Sequence, residues 1–164
     1  MIFSRLVTSR ILIKVLALAA VVFSSSAMAQ DRFKLSIDGQ EVTDTKTNLI
    51  WRRCLEGQTF DGKTCMGKPT KFSLANARKY ASDAGSNWRI PDKKEVVDTL
   101  ELPKTKKPLL DPVAFPGAKS GLVWALRPEM ADNLNAWIVD VGTGKVYGNS
   151  GLKKLYLRLV RIAG

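Results

Sequence analysis

The N-terminal segment constrains the fold most, because it decides which residues fold and in which compartment they do so. Three basic residues precede an unbroken apolar run over 15–23, and Ala27-Met28-Ala29 then gives the small-x-small pattern that signal peptidase cleaves. The apolar stretch is interrupted by Lys14 and is shorter than the roughly 20 residues that span a bilayer. We therefore expect a cleavable secretory signal over 1–29, and a mature chain that is periplasmic or secreted.

Cleavage would leave residues 30–164, which is near the common size of a single domain. The signal contains three of the 26 lysines and arginines and none of the 15 acidic residues, so the mature chain carries a formal charge of +8. Such a charge speeds association with anionic partners, although it equally suits a solvated surface. The sequence thus predicts one small basic domain.

The two cysteines, Cys54 and Cys65, are expected to form a disulfide, because an exported chain meets oxidising conditions. Between them, Gly57 and Asp61-Gly62 allow the chain to turn back on itself. Closing this loop should stabilise the fold by roughly 3 kcal/mol. A redox or metal pair is the alternative, but the chain has no CxxC spacing and no histidine. We expect no metal and no cofactor.

Local patterns predict an α+β domain with two short helices in the first half and an antiparallel sheet mostly from the second half. Ser73 is placed to cap the first helix and Gly85 to end it. Asp92 and Glu95 have the spacing of a capping box at the start of the second. The predicted apolar faces are Leu74, Ala77, Tyr80, Ala81 and Ala84 in the first helix, and Val96, Val97 and Leu100 in the second.

Short apolar runs between turn residues predict the strands. They lie at 42–44, 49–51, 122–126, 136–141, 145–147 and 155–160. Gly142-Thr143-Gly144 would join two of them as a hairpin. The proline- and lysine-rich segment 103–116 is predicted to be an irregular connection. It should pack against the domain through Leu109, Leu110 and Phe115.

Several landmarks together resemble one bacterial family. They are the run 42–51 ending in Trp51, Arg53-Cys54 with Cys65, Asn87-Trp88-Arg89-Ile90-Pro91 with Glu95, Asp111-Pro112, Phe115-Pro116, Ala136-Trp137 and 158–161. The chain resembles the DUF1566 family, described as similar to the C-terminal domain of Legionella collagen-like adhesins. The resemblance implies a compact fold related to C-type lectins and formylglycine-generating enzymes, usually exported, with adhesion to anionic polysaccharide in some members. It implies no known reaction.

The tryptophans and Arg89 have structural roles in our interpretation, with one exception. Trp51, Trp88 and Trp137 are expected in the core, because burying a large ring removes much apolar surface from water. Trp124 stands in Val123-Trp124-Ala125-Leu126, where the family usually has a Trp-Ser-Ser type of strand. We therefore expect Trp124 to be the tryptophan that could stack on a sugar ring. Arg89 is interpreted as a clamp for backbone carbonyls or a carboxylate.

The sequence lacks residues that several enzyme signatures require, and we therefore predict a non-catalytic protein. Histidine, the commonest general base, is absent. Ser150 and Lys153 match Ser-x-x-Lys, but the surrounding glycines disfavour the helix that this pair requires. No cysteine follows Cys65, whereas formylglycine-generating enzymes use a late cysteine pair. A calcium site at Asp132-Asn133-Leu134-Asn135, with Glu129 and Asp140, matches no loop signature and is more simply a polar turn.

The sequence therefore predicts a binding module for an anionic polysaccharide or for another envelope or surface protein. The candidate ligand contacts are Lys153, Lys154 and Arg158 around the final strand, Lys104, Lys106 and Lys107 in a second cluster, and Trp124. A structural or assembly component of the envelope is the main alternative, and an enzyme built from carboxylates is a more remote one. Nucleic acid is not expected in this compartment, and no membrane span should remain after cleavage.

Overall fold

A computed structural model of the chain describes residues 32–126, 136–149 and 153–164. The predicted signal lies outside the described residues. The strands are β1 Phe33–Leu35, β2 Glu41–Asp44, β3 Leu49–Arg52, β4 Thr59–Phe60, β5 Cys65–Met66, β6 Lys71–Phe72, β7 Leu122–Ala125, β8 Ala136–Asp140, β9 Val146–Asn149, β10 Leu155–Tyr156 and β11 Val160–Ile162. Two helices, α1 Leu74–Asp83 and α2 Lys93–Thr99, complete an α+β fold, as predicted.

The first sheet is antiparallel throughout, in the order β1-β2-β3-β11. Alternate residues of its central strands point inward, so that Val42 and Trp51 lie opposite each other in the core. Asn48 completes the turn between β2 and β3 with φ of +56°. β2 and β3 were predicted and β1 was not, and β11 brings the end of the chain against β3.

The second sheet has the order β6-β10-β7-β8-β9, and its pairs are antiparallel except β10 with β7. The predicted turn joins β8 to β9. It is held by the Asp140 carboxylate, which accepts hydrogen bonds from the Gly142 amide and the Thr143 hydroxyl, each at 2.8 Å. Because β1, β2, β3 and β6 all come from the first half of the chain, the prediction of strands mostly from the second half was incomplete.

The prediction of one strand over 155–160 was wrong. β10 ends at Tyr156 and β11 begins at Val160, and the buried residues 157–159 carry the chain from one sheet to the other. The Leu159 carbonyl accepts a bond from the Arg52 amide, and the Leu157 carbonyl accepts one from the Glu56 amide. The last residue of β3 and the loop after it thus supply hydrogen bonds to the residues that cross between the sheets.

Both helices begin where the capping residues predict. The Ser73 hydroxyl accepts from the Asn76 amide at 3.3 Å, and the Asp92 and Glu95 side chains each accept from the other's backbone amide at 2.8 Å. Val97 is exposed, contrary to prediction. Thr99 is buried in its helix instead, because its hydroxyl donates to the Glu95 carbonyl at 2.8 Å and is thereby satisfied.

The core has two clusters. One contains Trp51, Phe115 and Val139 beside α2, and the other contains Trp88 and Trp124 beside α1. The connecting segment packs down through Leu109, Leu110 and Phe115, as predicted. Neither α1 nor α2 could cross a bilayer, and the described part of the chain contains no helix that could.

Candidate functional site

The candidate site is built around a hairpin closed by the predicted disulfide, which joins Cys54 to Cys65. β4 and β5 pair within this loop. The Asp61 carboxylate accepts from the backbone amides of Lys63 and Thr64 at 2.8 and 2.7 Å and thereby shapes the turn. These bonds lower the pKa of Asp61. We call residues 54–67 the disulfide hairpin.

Two glycines let neighbouring segments approach the hairpin closely. A Cβ at Gly57, where φ is +92°, would lie 2.3 Å from Thr70 Oγ1. A Cβ at Gly117, where φ is +67°, would lie 2.6 Å from Thr64 Oγ1. Only glycine meets both the backbone angle and the spacing at these positions. The segments around 70 and 117 therefore flank the hairpin.

Arg53 fixes the start of the hairpin from inside the protein. Its guanidinium donates to the carbonyls of Gly39, Val113 and Ala114 at 2.7, 2.6 and 3.0 Å, and it lies 4.3 Å over the Phe60 ring. Burial lowers the pKa of Arg53. Arg53 therefore has a structural role at the start of the hairpin.

Arg158 is buried as well, which corrects its prediction as a surface contact for a polyanion. It is 6% exposed, donates to the Arg52 carbonyl at 2.8 Å and to the Arg53 carbonyl, and lies 4.7 Å over the Phe115 ring. Burial lowers the pKa of Arg158 to about 10, so the group still carries its charge at neutral pH. Like Arg53, it stabilises the chain at the hairpin's start.

The expectation of an accessible Trp124 was also wrong. Its side chain is fully buried, and its indole N–H donates to the Phe72 carbonyl at 2.7 Å. Trp51 and Trp88 are buried, as predicted, while Trp137 is half-buried with the Lys93 ammonium 4.3 Å from its ring centre. The ring of Trp124 is therefore not presented to a sugar.

Arg89 is the predicted clamp. Its two terminal nitrogens donate to the two carboxylate oxygens of Glu95 at 2.7 and 2.6 Å, a bidentate pair that also fixes the start of α2. This pairing raises the pKa of Arg89, although burial opposes the shift.

Three adjoining depressions, with volumes of about 250, 380 and 480 Å³, form one surface, and the second of them is lined by residues of the disulfide hairpin. The first and second share Gly117, and the second and third share Pro69 and Tyr156. Their lining includes five lysines: Lys106 and Lys107 in the first, Lys119 in the second, Lys68 and Lys71 in the third. We call this surface the lysine groove.

The charges of the lysine groove are not neutralised locally. None of its lining residues is an aspartate or glutamate, and in the described ranges none of its five lysines forms a salt bridge. By contrast, the exposed Lys79 and Lys94 pair with Asp83 and Asp98 on their own helices. The groove therefore presents unneutralised positive charge to solvent.

Tyr156 forms part of the groove because β10 places it beside β6. It is the cross-strand neighbour of Lys71, whose ammonium lies 5.0 Å from the ring centre. A Cβ at Gly121 would lie 3.3 Å from Tyr156 Cδ2 and Cε2, so the ring packs against that glycine. An aromatic ring beside two lysines can contact both the apolar and the charged parts of a ligand.

A fourth depression, of about 220 Å³, shares Leu55 and Gln58 with the groove but differs in charge. Its charged residues are Glu41, Arg52 and Glu56. Arg52 donates to Glu56 at 2.8 Å, and Glu41 accepts from Arg161 at 2.7 Å. We call this depression the paired pocket, since each of its carboxylates already faces an arginine.

Only some of the residues predicted to contact a ligand therefore lie together in the structure. Lys106 and Lys107 line the groove, and Lys104 is exposed on the same loop outside the lining. Lys153 and Lys154 are exposed before β10 and do not line it.

The proposed calcium ligands in 129–135, and the serine of the Ser-x-x-Lys match, lie outside the described residues, whereas the Asp140 carboxylate holds a turn. The part of the chain that is described holds no group of three His, Cys, Asp or Glu residues arranged for a metal ion.

Sequence reasoning missed Lys68, Lys71, Lys119 and Tyr156. Lys68 and Lys71 follow the second cysteine closely, and this proximity to the predicted disulfide loop was the one available signal. Lys119 and Tyr156 are distant in the sequence and reach the groove only through tertiary structure.

Comparison with known protein families agrees with the resemblance seen in the sequence. The family model described as the Lcl C-terminal domain matches residues 40–161, which include the disulfide hairpin, both helices and the whole second sheet. A search of curated proteins found no match. The matched region covers most of the chain, and the chain therefore belongs to the Lcl C-terminal domain family.

Proposed function

We propose that this chain is an exported, non-catalytic, adhesin-like module that binds an anionic polysaccharide in the lysine groove. The observation that carries the proposal is the set of five groove lysines with no carboxylate among the lining residues. Family membership supports the adhesin-like role. The proposal includes the C-type-lectin-like fold class implied by the resemblance, which the two sheets and two helices suit.

The groove's shape and chemistry favour a polymer over a small ligand. Each of its three depressions shares lining residues with the next, and each contains at least one lysine. A lysine ammonium is a mobile point charge, which suits sulfate or carboxylate groups spaced along a chain. Each contact would release counterions condensed on the polymer, so affinity should fall steeply with salt.

The non-catalytic part of the proposal rests on the same lining. Its ionisable groups are lysines and Tyr156, while Cys65 is held in the disulfide. Histidine and carboxylates are the commonest general acids and bases in enzymes. The carboxylates of the adjoining paired pocket are engaged by arginines.

The test compares two double variants with equal loss of charge. Lys68→Ala with Lys71→Ala removes two groove lysines, and Lys153→Ala with Lys154→Ala removes two exposed lysines outside it. Affinity for dextran sulfate is measured by calorimetry at about 50 and 200 mM salt, a range in which screening strengthens markedly. Unsulfated dextran is the ligand control, because it has the same backbone without the charges.

We expect the wild-type domain to bind dextran sulfate and not dextran. The groove variant should lose at least about tenfold in affinity at the lower salt, and its salt slope should fall by roughly 1.5, as for two lost contacts on a polyelectrolyte. The control variant should change far less. Equal losses in the two variants would indicate diffuse attraction, and no binding by the wild type would refute the proposal.

A further inference from the structure

The exposed edges of the two sheets are protected to different degrees. β1 contains Lys34, and β6 has only two residues, one of them Lys71. The outer side of β11 is covered, because Val160 exchanges two backbone hydrogen bonds with Arg89, at 2.9 and 3.0 Å. β9 has four residues, Val-Tyr-Gly-Asn, with no charge and no proline. It lacks the features by which proteins usually prevent pairing at a sheet edge.

The backbone of β9 offers defined partners on its open side. The Asp140 amide donates to the Lys145 carbonyl at 2.9 Å, and hydrogen-bonded and non-bonded pairs alternate along an antiparallel ladder. In the register of β8 with β9, Tyr147 is therefore bonded to Ile138, while the N–H and C=O groups of Val146 and Gly148 point away from β8. Among the described residues, no strand pairs with this side.

We propose that β9 pairs with β9 of a second copy of this chain, antiparallel and about a two-fold axis. In this arrangement Val146 exchanges backbone hydrogen bonds with the partner's Gly148, and the reverse bonds follow by symmetry. Tyr147 then faces the partner's Tyr147 on the axis, and Lys145 lies opposite the partner's Asn149. The pairing places no like charges opposite each other, so the strand is complementary to itself.

The exposed side chains of β9 also favour a second copy of this chain as its partner. Tyr147 is 43% exposed and Val146 is 37% exposed, and cross-strand aromatic pairs stabilise antiparallel sheets. The contact is small, and both copies are basic, so we expect a weak dimer that strengthens as salt screens their repulsion. Binding to a polyanion weakens with salt instead, and the dimer does not depend on the lysine groove.

The test is cysteine cross-linking of the mature chain with diamide as the oxidant. Tyr147→Cys would face itself across the axis, at a Cα separation of about 4.5 Å that a disulfide can bridge. Lys145→Cys is the matched control, since it would be offset from its own copy by four residues, about 13 Å. Peptide mapping confirms that the native disulfide is retained.

A third variant tests the backbone pairing. Val146→Pro removes an outward N–H and leaves the β8–β9 ladder intact, so in the Tyr147→Cys background it should slow cross-linking at least tenfold with little change in melting temperature. Val146→Ala should cross-link like its parent. We expect Tyr147→Cys to cross-link faster than Lys145→Cys, and faster at high salt. Equal rates, no cross-linking, or no effect of the proline would overturn the proposal.

Discussion

The lysine groove and the paired pocket share two lining residues yet use their charges differently. In the paired pocket, Arg52 is bonded to Glu56, and Glu41 is bonded to Arg161. Both arginines also lie 5.0 Å over the same ring, that of Trp88. In the groove, five exposed lysines have no carboxylate among the described lining residues. Local neutralisation, and not the number of cations, distinguishes the paired pocket from the surface that we propose binds an anion.

The same contrast separates buried from exposed cations. Arg53 and Arg158 donate to backbone carbonyls around the hairpin, and these hydrogen bonds stabilise the fold although burial disfavours the two charges. A net charge counted from the sequence includes these residues equally with the lysines. The predictions below test whether the two kinds of cation have separate roles.

The largest effect is expected for Arg158→Ala. It would leave the buried carbonyls of Arg52 and Arg53 without their donor, at a cost of about 1 to 3 kcal/mol each, and would remove packing on Phe115. We expect the free energy of unfolding in urea to fall by about 3 kcal/mol or more. Lys104→Ala, on an exposed loop, is the control and should leave it unchanged. An unchanged stability with lost binding would show that Arg158 contacts the ligand after all.

A smaller effect is expected from acid at Asp44. Burial alone would raise its pKa, but the hydrogen bonds from Arg32, at 2.8 and 2.6 Å, help lower it below its usual range. A lowered pKa in the folded state contributes stability above the unfolded value of about 3.9, and that stability is lost as pH falls below it.

The Asp44→Asn variant tests this pair. At pH 7 its free energy of unfolding should be lower than that of the wild type by about 1.5 to 3 kcal/mol, the range for hydrogen bonds to charged groups. The difference between wild type and variant should narrow on titration from pH 5 to pH 2. Denaturation followed by tryptophan fluorescence measures both, and a constant difference across this range would contradict the assignment.

The smallest effect is expected for Glu41→Gln, which frees Arg161 from its carboxylate. This ion pair is partly exposed, so its loss should cost at most about 1 kcal/mol. The variant also adds an unneutralised cation beside the groove, so affinity for dextran sulfate should rise slightly. A fall in affinity would show that the paired pocket itself contacts the ligand.

Features specified by nearby residues could be predicted from the sequence. The capping box of Asp92 and Glu95, the turn after Asp140 and the disulfide each depend on a short segment. The break between β10 and β11 could not be predicted, because amides of Arg52 and Glu56, about a hundred positions earlier, bond to the crossing residues. We predicted that Val97 faces the core, but Thr99 is buried instead. Its hydroxyl bonds to a carbonyl within the helix, so it can be buried without an unsatisfied polar group.

The site was harder to predict than the fold, because its residues converge from separate segments. Lys106 and Lys107 were found as a cluster in the sequence, whereas Lys119 and Tyr156 join them only through tertiary structure. The absence of serines around Trp124 suggested an exposed ring, but β7 is a central strand buried on both faces, with Val123 in one core cluster and Trp124 in the other. Arg158 was counted as a free cation because a sequence does not show which carbonyls an arginine will reach.

The central claim is tested most directly by acetylating lysines with and without dextran sulfate and measuring each site by mass spectrometry. The polymer should protect Lys68, Lys71, Lys106, Lys107 and Lys119. Lys79, Lys94, Lys153 and Lys154 are exposed outside the groove and should react as they do in the free protein. Equal protection of both sets, or protection of Lys153 and Lys154 alone, would contradict the account.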